Sequence, residues 1–366
     1  MKRLYWIIRI SVAVIFIFSG LIKLNDPTGT AIKLEEYFEI FSTDFASFFL
    51  VLIPYTLTLS VVMSLLEVVL GVALLVRFKL VWTLVLLSTL IIFFTCLTFY
   101  SAYYNKVTDC GCFGDAIKLT PWQSFTKDVI LLLAISFLCW SYSIIKNHAR
   151  RSTWLQYSIV GATLFFSLFI ALYSLRHLPF IDFLPYRVGA NIPALMKPSE
   201  PFRYKYIMEK NGELKEFEEY PTDTTYTYKE VILLNPEAAP KIMDYYVWND
   251  QGDYTQESLK GVKLLLIIPD AEEANKKGIV RIQSLIKELD TVKVKCMALT
   301  SSDSFVFELF RHDVQLDVSY HFSDSSVLQA MIRSNPGLIL VQNGIVKGKW
   351  HYRDIPSAAA IYKLIQ

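Results

Sequence analysis

The sequence predicts a bundle of membrane-spanning helices followed by a soluble α/β domain. Of its 366 residues, 53% are hydrophobic and only 19% are charged, and the apolar residues form long runs in the first half. From about residue 241 the chain alternates short apolar strands with segments of helical period, a pattern typical of a sheet with helices on its faces. The formal net charge is only +2, so composition gives no electrostatic support for a nucleic-acid partner.

Five apolar runs are long enough to cross the hydrocarbon layer, which takes about 20 helical residues. A cleaved signal peptide is the alternative for the first run, but its apolar core is long and no Ala-x-Ala site follows it. We therefore interpret it as an uncleaved span. Residues 28–49 are amphipathic, and we expect them to lie along the membrane surface. The predicted spans are residues 4–24, 50–76, 80–104, 121–145 and 154–175.

Lysine and arginine occur in alternate connecting segments of this half. They precede the first span, separate the second from the third, and follow the fourth: Lys2, Arg3, Arg9, Arg77, Lys79, Lys146, Arg150 and Arg151. Short loops rich in these residues face the cytoplasm. We therefore predict a multi-pass protein of the bacterial inner membrane, embedded in the lipid bilayer, with a cytoplasmic N terminus and a periplasmic C-terminal domain.

The second half begins with a linker that five prolines mark at residues 177–201. Asn211-Gly212 predicts a hairpin within residues 202–220, because both positions tolerate positive φ. We group residues 177–240 as a linker with a hairpin extension, and residues 241–366 as the α/β domain. Its predicted strands are residues 244–248, 262–269, 292–299, 337–342 and 345–350, and its predicted helices are residues 271–289, 303–311, 325–333 and 356–365.

Two cysteines, Cys110 and Cys112, lie in a short loop between the third and fourth spans. Residues this close can form a disulfide only if the backbone bends, and Gly111 between them permits the bend. So small a ring would be strained and easily reduced, which is typical of a labile or catalytic disulfide. A structural disulfide and half of a metal site remain alternatives, although the loop offers only Asp109 and Asp115 as further ligands.

Glu67 lies in the middle of the second span. A carboxyl group in a transmembrane helix costs roughly 2.5–3.5 kcal/mol and normally faces the bundle interior. It is a candidate for an intramembrane relay or a cofactor contact. The alternative is a protonated carboxyl bonded to a neighbouring helix.

Three other cysteines stand alone in the sequence: Cys96, Cys139 and Cys296. We interpret Cys96 and Cys296 as small core residues, because lone cysteines are often buried in that role. Cys96 lies toward the outer half of its span and Cys139 near the cytoplasmic end of its own, so we do not expect these two to pair. The five histidines form no metal-ligand spacing, so we predict no metal site from them.

Residues 1–176 resemble the DoxX family and its MauE branch. The resemblance rests on Phe18-Ser-Gly-Leu-Ile-Lys-Leu24 before Asp26-Pro27, on Glu67-Val-Val-Leu-Gly71, and on Cys110-Gly-Cys112-Phe-Gly114. It implies a four-helix membrane bundle, here with a fifth span. MauE-like proteins are associated with methylamine utilisation, where they are thought to support disulfide formation in an exported enzyme. More remotely, the architecture is similar to vitamin K epoxide reductase and DsbB, which use Cys-x-x-Cys where this chain has Cys-x-Cys. This resemblance implies a quinone as electron acceptor.

Residues 241–366 resemble a thioredoxin-like domain of the TlpA or peroxiredoxin kind. The segment Asn335-Pro336-Gly337 is similar to the cis-proline loop of that fold. The redox cysteines of the family would follow the strand at residues 264–268, where this chain has Pro269-Asp-Ala-Glu-Glu273. The resemblance therefore implies a domain that binds clients, near Asn335 and Pro336, without its own thiol chemistry.

Together these observations predict a membrane-anchored thiol–disulfide protein that acts on a periplasmic protein client through Cys110 and Cys112. The rival hypothesis is a non-enzymatic membrane scaffold in which the two cysteines form a structural disulfide. Whether the chain is an enzyme stays open at this point.

Overall fold

A computed structural model describes residues 2–107, 111–145, 153–210, 212–289 and 293–366. The chain divides into two compact units, Met1–Phe183 and Leu184–Gln366. The first unit is helical, and the second contains all the strands of the described residues.

The first unit contains six α-helices in the described residues, and a 3₁₀ helix, Ser47–Tyr55, leads into the third of them. Five helical segments are long and apolar enough to cross a membrane, which confirms the five predicted spans. The helices are α1 (Lys2–Asn25), α2 (Pro27–Asp44), α3 (Thr56–Val76), α4 (Leu80–Tyr104), α5 (Pro121–Ile145) and α6 (Trp154–Arg176).

Local sequence explains the helix boundaries. The Asp26 side chain accepts a hydrogen bond from the Gly29 N–H and caps α2, whose first residue is Pro27. Arg77 and Lys79 adopt left-handed backbone conformations, which close the tight turn between α3 and α4. The prediction of an α-helix from residue 50 was wrong at its start, because the segment that contains Pro54 is 3₁₀ and α3 begins at Thr56.

Helices α1 and α3 are in close backbone contact at two glycines. A Cβ atom at Gly20 would lie 2.9 Å from the Ser64 carbonyl oxygen, and one at Gly71 would lie 2.9 Å from the Ala13 carbonyl oxygen. Small residues allow such contacts between transmembrane helices. Both glycines belong to the motifs that carry the DoxX resemblance, so these motifs set the spacing of α1 and α3.

An apolar cluster joins α1, α3, α4 and α5 below these contacts, toward the start of α1. Its fully buried members include Val12, Leu74, Leu87 and Ile135. Helix α6 packs separately, with Ala171 against Leu24 and Val68. The unit is thus a four-helix core with an added fifth span.

The second unit contains a small antiparallel sheet in the order β2-β1-β3. Its strands are β1 (Tyr204–Lys210), β2 (Glu213–Phe217) and β3 (Thr227–Leu233). The first two form the predicted hairpin, and β3 was not predicted.

The main sheet has seven strands in the order β10-β9-β6-β7-β8-β4-β5. The central strands β6, β7 and β8 are parallel, whereas β9 runs antiparallel to both β6 and β10. Its strands are β4 (Trp248–Asn249), β5 (Gly252–Asp253), β6 (Val262–Ile268), β7 (Lys295–Thr300), β8 (Tyr320–Phe322), β9 (Gly337–Gln342) and β10 (Ile345–His351).

The helices of this unit are α7 (Ile192–Leu195), α8 (Thr255–Leu259), α9 (Lys276–Glu288), α10 (Ser304–Asp313), α11 (Ser325–Met331) and α12 (Ala358–Ile365). The predicted helix at residues 271–289 begins later, at Lys276, because the Asp270 carboxylate accepts the Glu272 and Glu273 N–H groups in a turn. The predicted strand at residues 244–248 was also wrong, since only Trp248 joins a sheet.

The predicted linker, residues 177–201, is divided between the two units. Its second part packs on the main sheet, where the Ile192 N–H donates to the Gly344 carbonyl and the Gly189 N–H donates to the Val346 carbonyl. This part of the chain is therefore ordered by β10 and the turn before it.

Candidate functional site

The cysteine loop, residues 105–120, is held against the end of α1. The Ser19 hydroxyl donates a hydrogen bond of 2.9 Å to the Cys112 carbonyl oxygen, and the Phe113 ring packs 5.8 Å from that of Phe18. Gly111 has a positive φ of 63°, as a bend between two cysteines requires. Cys110 and Asp109 lie outside the described residues, so the geometry of the predicted pair stays a prediction.

The first residues of the cysteine loop are bonded to the end of α2. The Lys106 ammonium group lies 2.5 Å from the Asp44 carboxylate, which also accepts a hydrogen bond from the Tyr100 hydroxyl. These two bonds hold the pKa of Asp44 below its usual value. The Ser101 hydroxyl donates to the Val107 carbonyl, so both α2 and α4 position the residues that precede Cys110.

A cavity of about 50 Å³ lies beside Cys112. Its lining includes Cys112 and Gly111 from the loop, Glu67 from α3 and Lys23 from α1. A cavity needs about 10–15 Å³ to hold one water molecule, whereas pockets for drug-sized ligands have roughly 300–1,000 Å³. The cavity therefore has room for a few water molecules beside the thiol.

Glu67 is buried and forms an ion pair across the α1–α3 contact. Its Oε1 lies 2.5 Å from the Lys23 Nζ, and the two side chains are 1% and 8% exposed. The Lys23 ammonium also lies 4.6 Å from the centre of the Phe94 ring. Glu67 thus does bond a neighbouring helix, but its partner is a lysine, which the sequence analysis did not identify as a site residue.

A second ion pair lies on α5. The Lys127 Nζ is 2.8 Å from the Asp128 carboxylate, which is 1% exposed and accepts a 3.0 Å hydrogen bond from the Thr98 hydroxyl. Thr98 also lines the cavity. Lys127 lies 5.0 Å from the centre of the Phe113 ring and interacts electrostatically with Cys112 and with Glu67.

We call Lys23, Glu67, Lys127 and Asp128 the charge cluster. Only Glu67 was predicted as a site residue from the sequence, although the charged dipeptide Lys127-Asp128 within an apolar run is a visible signal. Ionisable residues inside membrane helices are expensive, and they commonly mark functional sites. An ammonium group beside a thiol favours the thiolate, the nucleophilic form of cysteine. The cluster therefore supplies the charges that thiol chemistry at Cys112 would need.

The lone cysteines occupy other places. Cys96 and Cys139 lie on exposed faces of α4 and α5, so the interpretation of Cys96 as a core residue was wrong. Cys296 packs against the apolar core of the second unit, and burial raises its pKa to about 11. Among the described residues no group of three or more His, Cys, Asp or Glu side chains could hold a metal ion.

The predicted client-binding residues lie in a loop before β9. The Asn335–Pro336 peptide bond is cis, as the resemblance implies. The Asn335 Nδ2 donates to the Asp270 carbonyl at 2.6 Å, and the Asn275 N–H donates to the Asn335 carbonyl at 3.1 Å. The loop therefore lies directly beside the segment after β6. Within the described residues the buried Asn335 Oδ1 has no hydrogen-bond partner.

Comparison with known proteins gives a match for part of each unit. No curated protein matches the chain. Residues 202–232, which include the small sheet, match a family described as a domain of unknown function, DUF8463. Residues 1–141, which contain the four-helix core and the cysteine loop, match the family described as methylamine utilisation protein MauE.

Proposed function

We propose that this membrane protein exchanges disulfides with protein clients through Cys110 and Cys112. In the exchange a client dithiol becomes a disulfide, and the Cys110–Cys112 disulfide takes its two electrons and becomes a dithiol. The observation that carries the proposal is the position of Cys112, which lines a cavity together with Lys23 and Glu67. The match of residues 1–141 to the family described as methylamine utilisation protein MauE supports a role in methylamine utilisation.

In this proposal the charge cluster has two roles. Exchange releases one sulfur as a thiolate, and a better-stabilised thiolate leaves faster. Lys127 interacts electrostatically with Cys112 and is suited to stabilise it there. Glu67 lines the same cavity and is the candidate relay for the proton that a thiol gains or loses.

The second unit is proposed to be a thioredoxin-like domain that binds the client outside the cytoplasm. Its cis-proline loop is intact, whereas the segment after β6 carries no cysteine. A client-binding unit outside the cytoplasm fits a protein of the bacterial inner membrane whose N terminus is cytoplasmic and whose C-terminal unit is periplasmic.

A quinone is the electron acceptor that the resemblance to DsbB implies. The cavity of about 50 Å³ is far smaller than a typical ligand pocket of roughly 300–1,000 Å³. Reoxidation by a quinone would therefore need a different surface or a wider cavity.

Trapping in cells tests the proposal. A Cys112→Ala variant removes the sulfur that would resolve a mixed disulfide, so Cys110 should accumulate adducts with client proteins that mass spectrometry identifies. A Cys110→Ser/Cys112→Ser variant is the matched control and should form none. Full retention of client oxidation by this double variant, with no adduct in the single variant, would refute the exchange.

The alternative is a membrane scaffold in which the second unit binds one partner. The absence of cysteine from residues 269–273, beside an intact cis-proline loop, favours it. Affinity capture separates the two functions. A stable partner that is retained by the double cysteine variant and lost in Asn335→Ala supports the scaffold, whereas partners that depend on Cys110 support exchange.

A further inference from the structure

A groove of about 470 Å³ lies between α1 and α5 and is widely open. Its residues include Ile15 on α1 and Trp122, Gln123, Lys127, Ile130 and Leu131 on α5. Both helices are candidate membrane spans. The groove is therefore open to the hydrocarbon layer, and its volume lies within the roughly 300–1,000 Å³ of typical ligand sites.

The groove is polar at one end and apolar at the other. Lys127 lies six residues after Pro121, about 9 Å into the membrane from the start of α5. Leu131 lies ten residues after Pro121, and Ile15 lies ten residues before Asn25, so both are about 15 Å deep. The apolar end is thus near the middle of the bilayer, and the polar end is near the surface.

The polar end presents two donors on one face of α5. Gln123 and Lys127 are four residues apart and are therefore neighbours on the helix surface. The Gln123 Oε1 accepts the Thr120 N–H, which leaves its NH₂ group as a donor. The Lys127 side chain is 22% exposed, and one side of its ammonium group meets Asp128. Trp122, 58% exposed, stands at the same end, as is typical of a headgroup-level aromatic residue.

We propose that this groove binds one anionic phospholipid from the leaflet on the side of the cysteine loop. The phosphate would accept hydrogen bonds from Lys127 and Gln123, and an acyl chain would lie along Ile130, Leu131 and Ile15. A phosphodiester is the matching ligand because it presents negative oxygens at headgroup depth while its tail remains in hydrocarbon. The proposal needs neither Cys110 nor Cys112, although it shares Lys127 with the charge cluster.

Native mass spectrometry of the full chain tests this. The protein is reconstituted in nanodiscs with equal amounts of phosphatidylglycerol and phosphatidylcholine, and the lipids that remain after transfer to mild detergent are counted. We expect one retained lipid per chain, with phosphatidylglycerol preferred about tenfold, because its net charge is negative whereas the choline cation of phosphatidylcholine balances the phosphate beside Lys127. Equal retention of the two lipids overturns the proposal.

Two variants on α5 give a matched comparison. Ile130→Trp fills the groove, while Leu133→Trp places the same side chain on the same helix outside the groove; the two positions are 61% and 65% exposed. The bound lipid should be lost only in Ile130→Trp. If both variants keep it, the groove is not the site.

The headgroup contacts are tested separately. Gln123→Leu, at an exposed position, should lower the preference for phosphatidylglycerol severalfold, and Lys127→Arg should keep it because the charge remains. Soluble glycerol phosphate should not displace the lipid. Displacement by that compound would identify a site for a soluble anion and would overturn the lipid proposal.

Discussion

Two lysine–glutamate ion pairs of nearly equal length lie in surroundings that differ completely. In the membrane unit Lys23 and Glu67 are 2.5 Å apart and both are buried. In the second unit Lys263 and Glu257 are 2.6 Å apart, and there the lysine is buried while the glutamate is 47% exposed. Water solvates the Glu257 end of the second pair. In the first pair both charges are buried, so each is compensated by the other and by its protein neighbours.

This difference bears on function. A pair with one end in water is a common way to satisfy a buried lysine, and it costs little to maintain. A pair sealed inside a membrane bundle is expensive, and hydrophobic residues of similar volume would often be at least as stable. The sealed pair also lines the cavity of Cys112. Stability alone therefore does not explain Lys23 and Glu67, which agrees with the chemical role proposed for them.

The largest expected effect comes from breaking the sealed pair. Glu67→Ala leaves the Lys23 ammonium buried without its partner, so the free energy of unfolding should fall by about 3–5 kcal/mol. Glu257→Ala is the comparison and should cost less, because water can take the place of the half-exposed Glu257 carboxylate beside the buried Lys263. Denaturant titration in detergent measures both values.

A double variant separates stability from chemistry. Lys23→Met combined with Glu67→Leu replaces the pair by apolar side chains and should recover most of the stability lost in Glu67→Ala. Client oxidation should remain lost if the pair is functional. Similar, small costs for Glu67→Ala and Glu257→Ala would remove the distinction between the two pairs.

A smaller effect is expected from Lys127. In a Cys110→Ser background, Lys127→Met should slow the alkylation of Cys112 at pH 7 about fivefold, because a nearby charge is worth roughly 1 kcal/mol at moderate screening. Lys127→Arg should keep the rate of the parent protein. Lys118→Met removes the same charge at an exposed position of the cysteine loop and serves as the control. An equal loss of rate in both methionine variants would show that the alkylation rate depends on the total positive charge near the loop and not on the position of Lys127.

The smallest effect concerns pH and the half-exposed pair. Lys263 holds the pKa of Glu257 below its ordinary value of 4.5. Its stabilising contribution is therefore complete above that ordinary value and is lost as the pH falls through the lowered one. Wild type and Glu257→Gln should differ in hydrogen exchange of β6 peptides at pH 6 and converge once the pH has fallen below the lowered pKa of Glu257. A difference that persists at low pH would mean that Glu257 acts without its charge.

Hydropathy and turn chemistry were sufficient to predict the spans and the main hairpins. Long apolar runs leave few choices for a chain in a membrane, and the strand at residues 262–269 is apolar except for Lys263, as its burial on both faces requires. Short elements such as β3 and β8 were missed. They depend on pairing with distant strands rather than on a strong local pattern.

The site was predicted less well, for a physical reason. Glu67 is visible as a charge within an apolar run, but its partner Lys23 is 44 residues away and is determined by the α1–α3 contact. Lys127 and Asp128 carry the same kind of signal, yet only folding brings them near the cysteine loop. Sequence patterns indicate which residues are unusual, whereas tertiary packing decides which of them meet.

The apolar cluster below the glycine contacts has an electrical consequence. Membranes carry a potential, and moving one elementary charge through 100 mV involves about 2.3 kcal/mol. Val12, Leu74 and Leu87 are fully or almost fully buried on the side of the charge cluster toward the start of α1. This apolar layer would keep protons from crossing it, so protons exchanged at Cys112 would return to the side from which they came. Thiol exchange would then neither draw on the membrane potential nor discharge it.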